Sequence, residues 1–350
     1  MSEPEIICER RGAAGLVTLN RPKALNALSE GMVADLARAL DGWAVDPAVT
    51  RVVVKGAGER AFCAGGDIRA LYEAGKAGEV ERSLAFWHDE YLLNIAIKRY
   101  PKPYVALIDG IVMGGGVGVS LHGSHRVAGN RYSFAMPEVG IGFFPDVGAT
   151  YALPRLPGEA GMYLALTGAR IGPDDATAIG LSTHRVASSD LAAVEERLVA
   201  GEPVDAVLDA VARPVTDGPI AAERALIDRT FSGATVEDVL ARLDREGEGG
   251  SDFAAEAAKT IRSKAPSSVA IAFAQVRRGA SLSFENAMAT EYRIVSRIVR
   301  GHDFYEGVRA TIIDKDGKPR WSPATLAELD PGFVEAHFAP LGARELRLPA

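Results

Sequence analysis

The sequence predicts an α/β fold in which strands and helices alternate, followed by a mainly helical C-terminal part. Short continuous apolar runs at Arg51–Lys55 and Tyr104–Ile108 are typical of parallel strands that are buried on both faces. Helical patterns alternate with these runs, which is the order of elements in a parallel sheet covered by helices. From Ser188 to about Gly250 the sequence is rich in Ala and Glu, and we expect helices there and over Phe253–Arg300.

The first predicted elements are a β-hairpin and a helix. Residues 5–10 and 15–19 have the pattern of two strands, separated by the turn Arg11–Gly12. Ser29 is a predicted helix N-cap. Apolar residues recur after it at helical spacing, at Val33, Leu36, Leu40 and Trp43. A helix is therefore expected between Ser29 and the turn at Asp46.

A longer helix is predicted between the two apolar strands, from about Glu79 to Arg99. Its apolar stripe is formed by Leu84, Trp87, Tyr91 and Ile95. Pro101 and Pro103 are expected to end this helix, because the ring of a proline disfavours the helical conformation of the residue before it.

The domain organisation follows from where the α/β pattern ends. It continues to about residue 187, so we expect a core over residues 1–190. Residues 191–350 are expected to form a mainly helical region that completes the fold. Within that region, the segment Gly247–Ser251 is the predicted linker.

Composition excludes several classes of function. The chain has 39 Lys and Arg against 46 Asp and Glu, a net charge of −7, which argues against a nucleic-acid surface. It contains no apolar run of about eighteen residues, so we expect no membrane span. The first strand follows Met1 almost directly, and on that ground we expect no signal peptide and a cytoplasmic location. Cys8 and Cys63 form neither a disulfide framework nor a metal-ligand spacing, and both are expected as reduced thiols.

Two glycine-rich loops are the most specific feature of the sequence. They span residues 62–67 and 110–118, and each follows an apolar run. Two such loops can direct two backbone N–H groups at one oxygen without a side chain in the way. Preorganised donors of this kind stabilise the negative charge that builds on a thioester oxygen during reaction.

Two carboxylates follow these loops in an apolar context. Glu138 is flanked by Met136 and Val139, and Asp146 by Phe144 and Val147. A carboxyl group in an apolar site has a raised pKa, which suits proton transfer near neutral pH. Glu138 and Asp146 are therefore the acid–base candidates.

On these motifs the sequence resembles the crotonase (enoyl-CoA hydratase/isomerase) superfamily, most closely the branch that hydrolyses 3-hydroxyisobutyryl-CoA. The resemblance implies a crotonase (ClpP-like) fold of repeated ββα units. It also implies that the N–H groups of Gly66 and Gly115 form an oxyanion hole, and that Glu138 and Asp146 are catalytic. The resemblance covers almost the whole chain and is weakest over residues 190–250.

The resemblance implies a set of substrate-binding residues as well. Glu90 would contact the acyl group, together with Gly115, Glu138 and Asp146. The CoA part would be held by Lys23, Ala24, Ala64, Asp67 and Ile68. No metal and no cofactor is implied, because CoA is part of the substrate. A homo-oligomer is left open, since crotonases form trimers but the hydrolase branch has a different C-terminal part.

One departure from the family pattern identifies the branch. Hydratases of the superfamily have a glutamate after the glycine triplet, where this chain has Gly118. Asp146 stands in the motif Phe-Pro-Asp-Val-Gly, where hydratases tend to have glycine. The hydratase glutamate is thus absent at Gly118, and an additional acid is present at Asp146. This combination resembles the pattern of the hydroxyacyl-CoA hydrolases.

The resemblance therefore implies hydrolysis of 3-hydroxyisobutyryl-CoA in valine breakdown, with 3-hydroxypropionyl-CoA as a second substrate. Glu138 would either attack the thioester, which gives a mixed anhydride, or act as general base on water. Asp146 would orient the acyl hydroxyl or water and carry the proton. Two alternatives stay open, an enoyl-CoA hydratase or isomerase and a non-catalytic scaffold that binds CoA esters.

Other chemistries have weaker support in the sequence. Residues 56–61 fit G-x-G-x-x-A after a strand, but a dinucleotide site needs a helix to open on those glycines. Ser120 does not stand in a G-x-S-x-G elbow. Cys63 adjoins the first glycine loop and is an alternative acyl-enzyme nucleophile, but the sequence favours a small buried apolar residue. His122 and His125 suggest a metal pair, but they lack the H-E-x-x-H or carboxylate spacing of a metal site.

Overall fold

The computed structural model describes residues 3–348. The strands, in chain order, are β1 (Ile6–Arg11), β2 (Ala14–Leu19), β3 (Arg51–Gly56), β4 (Ala61–Cys63), β5 (Tyr104–Ile108), β6 (Ile111–Met113), β7 (His125–Ala128), β8 (Ser133–Ala135) and β9 (His184–Arg185). They form a six-stranded sheet in the order β1-β2-β3-β5-β7-β9 and a three-stranded sheet in the order β4-β6-β8. Each of β3, β5 and β7 is thus followed by a short strand of the second sheet.

The helices, in chain order, are α1 (Glu30–Val45), α2 (Ile68–Lys76), α3 (Val80–Lys98), α4 (Gly115–Gly118), α5 (Ala149–Ala152), α6 (Ala160–Thr167), α7 (Pro173–Ala178), α8 (Leu191–Val199), α9 (Val204–Asp209), α10 (Pro219–Phe231), α11 (Val236–Glu248), α12 (Asp252–Ser263), α13 (Pro266–Gly279), α14 (Phe284–Ile298), α15 (His302–Val308) and α16 (Phe333–Phe338). A helix follows the strand pair β3–β4 and another follows β5–β6. This is the repeated ββα unit that was expected.

The large sheet confirms the predicted strands and their direction. β1 and β2 form the predicted antiparallel hairpin, with Ile6 opposite Leu19. From β2 onward the neighbouring strands β3, β5, β7 and β9 are parallel. Every residue of β5 is buried, as its continuous apolar sequence predicts.

The predicted helices near the N-terminus are confirmed too. The Ser29 side chain accepts a hydrogen bond from the Met32 N–H, which makes Ser29 the N-cap of α1. The long helix expected from about residue 79 to 99 is α3. Tyr91 and Ile95 on its apolar stripe are fully buried.

The described residues fall into two compact units, and each consists of three stretches of the chain. The first unit contains the residues up to Asp67, Leu92–Phe134 and Ile171–Pro219. The second contains Ile68–Tyr91, Ala135–Arg170 and the residues from Ile220 onward. The expected organisation into a core over residues 1–190 and a helical region after it stays a prediction.

In the first unit, one hydrophobic cluster joins the sheet to the helices that follow it. Strand residues such as Val53, Val105 and Val127 contribute to it, and so do residues of α8 and α9 such as Leu198 and Leu208. Burial of this apolar surface holds α8 and α9 on the sheet.

The second unit is mainly helical. α13 packs against α5 and α6, and α14 packs against α5 and α16. The segment Gly247–Ser251 is not the linker that was expected. Its first two residues end α11, and Gly250 with φ of 101° makes the turn into α12, against which α11 packs. Glycine favours such a turn because it adopts positive φ without steric cost.

In the part of the chain that the structure describes, no helix combines the length and the apolar character needed to cross a bilayer.

Candidate active site

The loop after β4 carries Gly66. A parallel β-bridge joins Leu28 to Gly66, and it uses the carbonyl of Gly65 and the N–H of Asp67, each at 2.9 Å from the Leu28 backbone. The N–H of Gly66 takes no part in that bridge. This agrees with its predicted role as a donor to the thioester oxygen.

The loop after β6 carries Gly115, the first residue of α4. The first N–H groups of a helix have no acceptor within it, so the Gly115 N–H is a donor as well. The two loops lie close together, because a Cβ built on Gly65 would be 3.9 Å from the Gly115 nitrogen. A Cβ on Gly116 would lie 2.2 Å from the Cys63 carbonyl oxygen, so this close approach requires glycine.

The segment expected to bind CoA lies against the first glycine loop. The Ala64 N–H donates to the Leu25 carbonyl at 3.0 Å, and Arg21 donates to the Asp67 carboxylate at 2.9 Å. Lys23 and Ala24 lie in a short 3₁₀ turn, Pro22–Ala24, and the Lys23 side chain is exposed. The first unit thus brings these four predicted residues into the same region as Gly66. Ile68 begins α2 and belongs to the second unit.

Asn26 holds this segment in place and had no predicted role. It is fully buried, and its side-chain amide donates to the carbonyls of Ala57 and Ala61 at 2.9 Å each. Its Oδ1 accepts from the Arg21 N–H. Asn26 has φ of 56°, a conformation that asparagine tolerates better than most residues.

The two predicted acids are buried in the second unit. Glu138 begins a 3₁₀ turn, Glu138–Ile141, and is 7% exposed; Asp146 is 4% exposed. Glu138 Oε2 has no hydrogen-bond partner among the described residues. The Tyr91 hydroxyl donates to Asp146 Oδ2 at 2.8 Å. The apolar flanks of both acids in the sequence correctly predicted this burial.

Two further acids lie near Asp146. Glu90, the predicted substrate residue, is on α3 and is buried, with Oε1 unpartnered among residues 3–348. Glu291 is on α14 and is fully buried. Its two carboxylate oxygens accept hydrogen bonds from the N–H groups of Gly148 at 2.8 Å and Thr150 at 2.9 Å.

Burial raises the pKa of all four acids, and the charge of Asp146 raises the pKa of the other three further. Burial raises the pKa of Asp146 to about 7, although the hydrogen bond from Tyr91 opposes the shift. Burial and the charge of Asp146 raise the pKa of Glu291 to about 8. Burial, followed by repulsion from Asp146, also holds the pKa of Glu138 and of Glu90 well above the usual range. Asp146 and Glu291 can therefore gain or lose a proton near neutral pH, as acid–base catalysis requires.

Tyr91 and Glu291 are the residues that sequence reasoning missed. The sequence predicted Tyr91 as an apolar residue on the buried face of α3, with no role for its hydroxyl group. The sequence does contain a pattern that points to Glu291. This carboxylate stands at helical spacing from the apolar residues Ala287 and Ile294, which are both fully buried. A charged residue on a buried helix face needs a partner, which makes it a functional candidate.

The structure shows the surroundings of three of the weaker alternatives. Gly56 ends β3 and Ala61 begins β4, so no helix opens on the glycines of the dinucleotide-like motif. The Ser120 hydroxyl donates to the Gly116 carbonyl. His125 bonds to Ser124 and Asp205, and no group of three potential metal ligands is found among residues 3–348.

Comparisons with solved structures identify the fold. A carnitinyl-CoA dehydratase from Mycobacterium thermoresistibile superposes with a TM-score of 0.93 at 44% identity, covering 99% of each chain. An enoyl-CoA hydratase from Rhodobacter sphaeroides superposes with the same TM-score at 39% identity, covering 99% of this chain and 100% of the other. The expected crotonase fold is confirmed.

Sequence comparisons agree with the predicted branch. A protein from Xenopus laevis named 3-hydroxyisobutyryl-CoA hydrolase, mitochondrial, is 46% identical over 349 residues, which is 97% of this chain and 90% of the relative. The protein of that name from Homo sapiens is 43% identical over 356 residues, 98% of this chain and 90% of the relative.

The names of these relatives place them in mitochondria, so the expected cytoplasmic location is wrong. That expectation rested on the distance between Met1 and the first strand, which does not determine the compartment of a protein.

The family model for enoyl-CoA hydratase/isomerase matches residues 14–338, most of the chain. The chain therefore belongs to the enoyl-CoA hydratase/isomerase family, and it is related over nearly its whole length to the 3-hydroxyisobutyryl-CoA hydrolases.

Proposed function

We propose that this chain hydrolyses the thioester bond of 3-hydroxyisobutyryl-CoA, and also of 3-hydroxypropionyl-CoA, to the free hydroxy acid and CoA. The burial of Asp146 is the observation that supports this proposal most strongly. Asp146 is a buried acid with a pKa raised to about 7, at a position where hydratases of the family tend to have glycine. Relatives 43–46% identical to the chain carry the name of this activity.

In the proposed mechanism, the N–H groups of Gly66 and Gly115 donate to the thioester oxygen as it becomes negatively charged. Glu138 in its ionised form either attacks the carbonyl carbon or removes a proton from the attacking water. The C–S bond then breaks, and the CoA thiolate takes up a proton. Asp146 orients the acyl hydroxyl or water and carries that proton. In the anhydride route, water then hydrolyses the anhydride, which releases the hydroxy acid and regenerates the Glu138 carboxylate. Either route consumes one water and needs no cofactor.

The CoA part of the substrate is assigned to Lys23, Ala24, Ala64, Asp67 and Ile68. Because the exposed Lys23 is a cation, it can pair with a phosphate of CoA. Glu90 is assigned to the acyl end, where its unpartnered Oε1 can accept a hydrogen bond from the substrate hydroxyl.

The proposal is tested by following free CoA with a thiol reagent. We expect thiol release from 3-hydroxyisobutyryl-CoA and 3-hydroxypropionyl-CoA and little change in the absorbance of crotonyl-CoA. Substantial hydration of crotonyl-CoA without thiol release would establish the second candidate, an enoyl-CoA hydratase. The names of the two solved structures favour testing it. Tight binding of CoA esters without any turnover would indicate a scaffold.

The two roles of Glu138 are separated by trapping. In the anhydride route, borohydride added during turnover reduces the acylated Glu138 to an alcohol, which mass spectrometry of its peptide detects. In the general-base route Glu138 is never acylated, so the peptide keeps its mass.

A further inference from the structure

The backbone turn that carries Asp146 is strained. Val147 has φ of 52° and Gly148 has φ of 93°. Gly148 adopts this conformation without steric cost, but a β-branched residue such as Val147 is a true outlier there. Such a conformation persists only where surrounding groups hold it.

Side chains from two helices hold this turn on both sides of Asp146. After Asp146, the carboxylate of Glu291 on α14 accepts from the N–H groups of Gly148 and Thr150. Before Asp146, the amide of Gln275 on α13 donates to the Pro145 carbonyl, and it also donates to the Thr150 hydroxyl at 2.7 Å. Glu291 and Gln275 are both fully buried, so water does not compete for these bonds.

A third side chain holds the carboxylate itself. Tyr91 on α3 is fully buried, and its hydroxyl donates to Asp146 Oδ2 at 2.8 Å. A hydrogen bond to a carboxylate favours the ionised form, and here it acts against burial, which raises the pKa of Asp146. The other titratable groups beside Asp146 are Glu90, Glu138 and Glu291, and the charge of Asp146 raises the pKa of each.

We propose that Glu291 and Tyr91 are positioning residues for Asp146: Glu291 holds the strained turn, and Tyr91 holds the carboxylate and favours its ionised form. The part of this proposal that concerns catalysis rests on the proposed hydrolase function. Neither side chain is needed to touch the substrate.

The first experiment measures the ionisation of Asp146 by ¹³C NMR of aspartate carboxyl carbons in the full chain, with Asp146→Asn to assign the signal. In Tyr91→Phe we expect the pKa of Asp146 to rise by about one unit or more, because a hydrogen bond to a charged group is lost. The matched control is Tyr305→Phe, which loses a hydroxyl that donates to the Val299 carbonyl at 2.8 Å. It should leave the Asp146 signal unchanged.

The second experiment concerns the turn. A glutamine at position 291 has one acceptor oxygen, so Glu291→Gln leaves one of the two N–H groups unpaired. We expect kcat to fall about 10- to 100-fold with KM within about threefold, because a small displacement of a catalytic group is that costly. Val147→Gly in the Glu291→Gln background relieves the strain at the turn and should recover part of kcat.

Wild-type kcat in a folded Glu291→Gln protein, or an unchanged pKa of Asp146 in Tyr91→Phe, would overturn the proposal. If Glu291→Gln does not fold, the double variant and the NMR measurement still decide it. The NMR readout needs no turnover. If the wild-type protein does not hydrolyse the thioester, the proposed function is refuted. The NMR measurement then still tests whether Tyr91 positions Asp146.

Discussion

At the scale of single residues, Glu138 and Asp146 differ in their surroundings although both are buried acids. Asp146 accepts a hydrogen bond from Tyr91, whereas Glu138 Oε2 has no partner among residues 3–348. Different environments separate the proton affinities of two carboxyl groups and so allow them different roles. An unpartnered oxygen suits a group that must bond to substrate or water, and this is the role proposed for Glu138.

The first prediction concerns these two side chains. Glu138→Gln and Asp146→Asn should each lower kcat by at least about 100-fold with little loss of CoA-ester binding, because proton transfer is lost rather than uniform binding. Kinetics and calorimetric binding are measured on the same preparation. The matched control is Glu195→Gln, which removes a buried carboxylate that pairs with Lys55 and Arg11 and should keep kcat. More than a third of wild-type kcat in either variant would refute its catalytic role.

At the scale of elements, α4 is too short to act mainly through a helix dipole. It has four residues, and its N-cap is Gly114 with φ of 44°. What the element supplies is a backbone direction, because the turn at Gly114 sets where the Gly115 N–H points. The loop at Gly66 likewise contributes a backbone N–H group, because the bridge to Leu28 uses the Gly65 carbonyl and the Asp67 N–H instead.

The second prediction concerns this element. In Gly115→Val the added side chain displaces the thioester oxygen from the donor, and losing an oxyanion donor costs about 100- to 1000-fold in rate. The loss should be similar for every acyl-CoA tested, with only a modest fall in Tm. Gly42→Val on α1 is the matched control, since no atom lies within 4 Å of a Cβ built there. Near-normal hydrolysis by folded Gly115→Val would mean that the oxyanion is held elsewhere.

At the scale of the whole molecule, the chain alternates between its two units along the sequence. Each unit is assembled from three stretches, so its packing brings together residues that are far apart in the chain. Formation of such non-local contacts orders long loops, which slows folding. The acids of the second unit illustrate this, since Glu90, Asp146 and Glu291 come from three separate regions of sequence.

The third prediction follows from burying these acids together. The pKa of Asp146, about 7, and that of Glu291, about 8, lie above the values of these groups in an unfolded chain. The folded chain therefore holds protons that the unfolded chain releases. This contribution to stability is complete below about pH 4 and is lost progressively as the pH rises from there through 7 to 8.

Asp146→Asn removes one of these titrations. We expect its Tm to be close to that of the wild type at pH 5 and a few degrees higher at pH 8.5, where the wild type must keep a charged carboxylate buried. Calorimetry at both pH values measures the difference. An equal change of Tm with pH in both proteins would show that Asp146 is not the buried acid that titrates.

The sequence by itself determined the features that depend on neighbouring residues. The apolar runs of β3 and β5, the N-cap at Ser29 and the two glycine loops are local patterns, and the structure confirms each of them. Burial of Glu138 and Asp146 was predictable for the same reason, because their flanking residues are apolar.

Only the tertiary structure decided how the acids are held. The bond from Gly148 to Glu291 joins residues 143 positions apart, and the bond from Tyr91 to Asp146 joins residues 55 apart. No periodicity in the sequence encodes such a pairing, because it depends on where the packing of several helices places each side chain. The left-handed conformation of Val147 was unpredictable as well, since valine avoids it, and the bonds between Glu291 and Gly148 and between Gln275 and Pro145 on either side of it come from distant helices.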